Sequence, residues 1–218
     1  MLFRSLALMP SLEEEFATHP QGELGTIHAQ PWHVDGKVLL IGDAAHAIVP
    51  FHGQGMNAAF EDCLLLDTLI DGYDEWGALF AEFERRRRPD AAAIAAMALE
   101  NYVEMRETVL DAKYQRQTAL ALTLESRFPA RFIPRYSMVM FHPEIGYAEA
   151  QRRGTIQAHI LDELDSTAAG RGGVPDFEEA AGMIESRLAP LSPPDSAKLT
   201  RPVDRKSTRL NSSHPYRS

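Results

Sequence analysis

The chain has little cysteine: Cys63 stands alone, which excludes an internal disulfide and fits a reducing compartment such as the cytoplasm. It has no apolar run of about 18 residues, so no transmembrane helix is encoded. The N-terminal stretch MLFRSLALMPSLEEEF turns acidic at Glu13 without a small-residue cleavage site, and no signal peptide is read there. Positive charge is in deficit, with 22 Lys and Arg against 31 Asp and Glu and a net charge of −9. Nucleic acid is thereby excluded as a partner, because phosphate binding needs a basic face. No His/Cys/Asp/Glu cluster has metal-ligand spacing, so no metal is expected. No G-x-S-x-G elbow suggests a hydrolase. Nor is there a G-x-G-x-x-G turn of the kind that grips a dinucleotide pyrophosphate.

What is present supports a sizeable core: 44% of residues are hydrophobic and 24% charged, enough for one or two domains. Two strands are read within residues 25–41, GTIHAQPWHV and KVLLI, joined by the hairpin pair Asp35-Gly36. Helical spacing follows from Met56 to Tyr73 and from Trp76 to Arg87, where Pro89 is expected to end the second helix. Asp90 then caps a long alanine-rich helix reaching about Phe128. Residues 128–141, broken by Pro129 and Pro134, read as extended or irregular. A helix from Tyr147 to Leu164, a glycine-rich linker from Thr167 to Pro175 and a short helix from Phe177 to Leu188 complete the pattern. The fold class is α+β, mostly helical. Residues 74–190 form a helical C-terminal region, and 191–218 an unstructured tail rich in Pro, Ser, Lys and Arg. Its last part, RKSTRLNSSHPYRS (205–218), resembles translated sequencing-adapter sequence and is set aside.

The most informative stretch is LIGDAAHAIVPFHGQGMN, Leu40 to Asn57. An apolar strand over 38–41, read as buried, breaks at Gly42-Asp43. A nearly uncharged loop with Pro50, Gly53 and Gly55 leads into a helix at Gly55-Met56-Asn57. A carboxylate at the end of a strand and a helix N-terminus beside a glycine bend can together hold a polyol and an anionic ring edge. Asp43 alone could equally be a turn or cap aspartate. Cys63 reads as buried packing, and His46 as structural, oriented by backbone hydrogen bonds. Arg85 to Arg88 read as a solvated helix end that favours cations.

The string GDAAHAIVPFHGQGMNAAFEDC resembles the second flavin-binding motif of the FAD-dependent aromatic hydroxylases, in particular their kynurenine-hydroxylating branch. The resemblance covers roughly residues 20–165. It implies that residues 1–73 hold the end of a substrate-domain sheet and the C-terminal part of an FAD-binding domain. It also implies that Asp43 accepts hydrogen bonds from the FAD ribityl chain and that Gly55, Met56 and Asn57 meet the pyrimidine edge of the flavin. Pro50, Phe51 and His52 would face an aromatic substrate. Asn101, within N-Y-x-E-M-R, and Tyr136, within I-P-x-Y, would hold that substrate's amino-acid group. The implied cofactors are FAD and NADPH, and the partners L-kynurenine and O2, giving 3-hydroxykynurenine in tryptophan catabolism. No catalytic side chain is expected in this segment, since the cofactor carries the chemistry. On this reading the chain is the C-terminal portion of a longer cytoplasmic flavoprotein, inactive alone. The alternatives are a hydroxylase for another aromatic, or a helical piece with no activity of its own.

Overall fold

The computed structural model describes residues 8–170 and 175–191. The tail expected beyond 191 and the heart of the linker, 171–174, lie outside them. The chain forms two compact units that divide between Thr108 and Val109. Among the described residues the fold is α+β and mostly helical, with one two-stranded sheet.

In the first unit, α1 (Leu12–Thr18) precedes the hairpin of β1 (His33–Val34) and β2 (Val38–Leu39). The strands pair antiparallel, His33 opposite Leu39 and Val34 opposite Val38. Asp35 and Gly36 turn the chain with φ of 51° and 63°, the left-handed conformations that an Asp-Gly pair tolerates. Gly36 is needed twice over, because a Cβ there would meet the Gly77 nitrogen at 2.8 Å. The strands are shorter than expected. Instead of pairing across the hairpin, Ile27 and Ala29 donate their N–H groups to Ala47 O (2.8 Å) and Ala45 O (3.1 Å). Pro31, with no N–H of its own, separates that stretch from the hairpin. Nor is the strand over 38–41 buried: Val38 and Ile41 are exposed, and only Leu39 and Leu40 pack inward. The alternation of a strand holds only for Val38, which faces out, and Leu39, which faces in, because β2 ends there.

After α2 (Asp43–His46) and a 3-10 turn (Pro50–His52) come two long helices, α3 (Gly55–Ile70) and α4 (Trp76–Val103). Trp32, Ala45, Leu69, Leu79, Phe83 and Ala91 form the core between them. Two expectations fail in this region. Pro89 does not end a helix but lies inside α4, and Asp90 caps nothing. A proline there forfeits one backbone bond, yet Arg87 pins the adjoining turn to α3 and the alanines beyond propagate the helix. The break comes later, at a π-turn (Glu104–Thr108), and the aspartate that caps α5 (Ala112–Arg127) is Asp111, accepting from Tyr114 N at 2.9 Å. Cys63 is exposed rather than buried. It follows Asp62, which points inward, and so lies about 100° around α3 on the outer face with Met56, Phe60 and Leu64.

The second unit packs α5 against α7 (Tyr147–Ala169) and α8 (Phe177–Arg187) around Leu124, Phe132, Ile160, Leu164 and Ile184. A further helix, α6 (Arg135–Phe141), occupies part of the segment read as irregular. Pro134 stands at its N-cap, where a missing N–H costs nothing. Helix α7 runs on to Ala169, beyond the expected stop at Leu164, because Leu164 and Ala168 continue its buried face. Arg153, almost wholly buried in α7, ties down the surrounding loops by donating to Arg131 O (2.5 Å) and Ala189 O (3.0 Å). Among the described residues no helix is long and apolar enough to cross a membrane.

Candidate functional site

The site is built from the bend at Gly42. With φ 56° and ψ −140°, Gly42 occupies a backbone region that is costly for any residue with a Cβ. A Cβ there would also approach that of Ala59 to 3.2 Å, which places the bend directly against the first turns of α3. The bend delivers Asp43 as the first residue of α2, with its side chain exposed.

Behind the bend lies a buried ionic network that joins α2, α3 and α4. Asp62 of α3 has no exposed surface. Its Oδ2 accepts from Gly42 N at 2.8 Å and from His46 Nε2 at 2.7 Å. A carboxylate oxygen cannot donate, so His46 presents Nε2–H to it. Oδ1 accepts from Arg87 Nε at 2.7 Å, and Arg87 reaches on to Glu61 Oε2 (2.9 Å) and Ala58 O (3.2 Å). Burial alone would push the Asp62 carboxyl upward, but the hydrogen bonds from His46, Gly42 and Arg87 more than offset this and hold it below the ordinary value. His46 is structural as expected, though oriented by a carboxylate rather than by the backbone, with its ring 5.1 Å from that of Trp32. The arginine run also divides. Arg85 and Arg86 bind Glu82, whose carboxyl they hold down to about 2, and Arg88 lies 3.5 Å from Glu84. Only Arg87 turns inward, so the run is not a uniformly solvated helix end.

The other wall of the site is the 3-10 turn and the start of α3. Gly53 closes the turn with φ 66°, and no atom lies within 4 Å of where its Cβ would stand. No side chain caps the N-terminus of α3 at Gly55, so its free N–H groups and positive dipole end remain available. Met56 and Asn57 are exposed beside it, and Asn57 Nδ2 donates to the buried Gln54 at 2.8 Å. Pro50 is exposed and His52 buried. Asn101 Nδ2, near the end of α4, donates to Phe51 O at 2.6 Å, so that residue does not simply face solvent. The next residue, Tyr102, lays its ring 4.5 Å from that of Phe51, and the Arg106 guanidinium stands 5.1 Å from the Tyr102 centroid. The structure thus brings Asn101 to the Pro50–His52 turn and the Asp43 bend to α3. Tyr136 lies in the second unit, on α6, half exposed.

Sequence reasoning missed Asp62, Arg87, Gln54 and Tyr102. Asp62 left a readable signal, a carboxylate flanked by Ala58, Ala59, Leu65 and Leu66, which needs a partner if its face is buried. Arg87 was hidden by its three neighbours of the same type.

Residues 5–98 match the family model described as FAD binding domain. The chain is 47% identical over 187 residues to the kynurenine 3-monooxygenase of Xanthomonas campestris pv. campestris (strain B100), covering 86% of this chain and 41% of the relative. Kynurenine 3-monooxygenases of Xanthomonas axonopodis pv. citri (strain 306) and Xanthomonas oryzae pv. oryzae (strain PXO99A) are 46% and 47% identical over the same length and shares. The chain therefore spans about two-fifths of the length of these curated relatives.

Proposed function

We propose that this chain is part of an FAD-dependent, NADPH-using monooxygenase that hydroxylates L-kynurenine to 3-hydroxykynurenine with O2, in the cytoplasm. The observation that carries the reading is the 2.6 Å bond from Asn101 to the Phe51 carbonyl. It ties the residue expected to hold an amino-acid group to the turn expected to face the aromatic substrate. The residues fit the cofactor. Asp43 offers an open carboxylate to ribityl hydroxyls. The space at Gly53 admits a flat ring, and the uncapped N-terminus of α3 faces negative charge favourably, by about 0.3–1 kcal/mol. When bound, FAD would take electrons from NADPH and activate O2 for transfer to the aromatic ring. The protein side chains bind and orient. Asp43 and residues 55–57 fix the cofactor, Pro50, Phe51 and His52 line the substrate ring, and Asn101 grips its amino-acid end, a role that the resemblance also gives to Tyr136.

The test is expression from the full reading frame that contains this chain, followed by kynurenine-dependent NADPH oxidation and detection of 3-hydroxykynurenine. Flavin-loaded protein that turns over a different aromatic would overturn the substrate assignment. Protein that holds no flavin would overturn the whole reading.

A further inference from the structure

We infer that Asp62 and Arg87 are positioning residues for the flavin bend: Asp62 holds the Gly42 peptide so that Asp43 is presented outward, and Arg87 fixes Asp62. This rests on the flavin reading of the bend. Asp62 is the point where three donors from separate parts of the chain converge: the Gly42 N–H, the His46 ring and the Arg87 guanidinium. Gly42 is the residue immediately before Asp43, and its amide has a side-chain acceptor twenty positions further on rather than a sheet partner. Its unusual φ and ψ leave the peptide no ordinary turn to relax into, so the carboxylate determines where the bend points. Arg87 grips the opposite oxygen and also binds Glu61 and the Ala58 carbonyl on the preceding turns of α3. The planar guanidinium thereby fixes the rotation of the Asp62 carboxyl group, which a point-charge ammonium would do less well. The result is a strut from α4 through α3 to the bend.

The chemistry of a side-chain amide in place of this carboxylate supplies the test. An asparagine could offer its one oxygen to only one side. Arg87 is a permanent cation and would take it, turning the NH2 group toward the Gly42 N–H, which can only donate. Asp62→Asn in protein expressed from the full reading frame should therefore remain helical by far-UV circular dichroism while its dissociation constant for FAD rises about tenfold or more. The Gly42 amide should exchange with solvent at least about tenfold faster than in the parent chain. Glu61→Gln, which touches the strut only at its partly exposed end, should leave the FAD dissociation constant within about twofold. An unchanged FAD constant in Asp62→Asn, with only thermal stability lowered, would overturn the inference and leave the pair a fold stabiliser. If Asp62→Asn does not fold, the same readings on Arg87→Lys decide, with a smaller rise expected. If neither variant folds, the positioning role is overturned in the same way. Loss of flavin from the parent protein would sink the functional reading itself, whereas flavin-loaded parent and equally loaded Asp62→Asn would sink only this inference.

Discussion

At the scale of single residues, Asp43 and Asp62 divide the labour of two carboxylates by environment. Asp43 is open, and Asp62 is spent on internal donors. Asp43→Ala is expected to weaken FAD binding by the value of charge-assisted hydrogen bonds, roughly 1.5–3 kcal/mol. Titration of the apoprotein with FAD measures this, and an unchanged constant would refute the assignment. Asp62 makes a prediction about acid. Its folded-state carboxyl lies below its ordinary value, so it stabilises the fold fully above the normal carboxylate range. That contribution is lost as pH falls below about 4 and through the depressed folded value. Urea midpoints taken between pH 7 and pH 3 should fall more steeply for the parent than for Asp62→Asn, and parallel curves would contradict it.

At the scale of elements, legibility followed how local the determining contacts are. The Asp35-Gly36 hairpin and the start of α7 at Tyr147 were readable, because turn chemistry and helical spacing act within a few residues. The passage of α4 through Pro89 was not, since it depends on Arg87 reaching a carboxylate on another helix. The face of α3 was misjudged for a related reason. The helix carries apolar residues all round, and the inward pull on Asp62 set its rotation and turned Cys63, Phe60 and Leu64 outward. Of the candidate site, the loop from Gly42 to Asn57 was legible as a motif, whereas the strut behind it had no local signature. The end of α4 supplies a kinetic prediction. Asn101→Ala should raise the KM for kynurenine up to about tenfold, the worth of one or two hydrogen bonds, with normal FAD content. Tyr136→Phe should act in the same direction. If flavin is lost while KM holds, these residues are structural.

At the scale of the whole molecule, the described residues include one core around Trp32 and Phe83 and another around Leu124, Ile160 and Leu164. Leu164→Ala should cost about 2–5 kcal/mol in the second. Hydrogen exchange of the variant should show α5, α7 and α8 opening sooner, with the amides of α3 and α4 keeping their protection. Loss of protection across both units at once would mean that they unfold as a single body.

The strut also has a consequence for inheritance. Gly42, His46, Asp62 and Arg87 are scattered across the sequence, yet the other three all donate to Asp62. A change at Asp62 strands three donors at once, so these four positions should drift as a set or not at all. When newly sequenced chains carry a flavin bend like this one, the joint presence of that quartet would separate those that inherited a working bend from those that kept only its glycines.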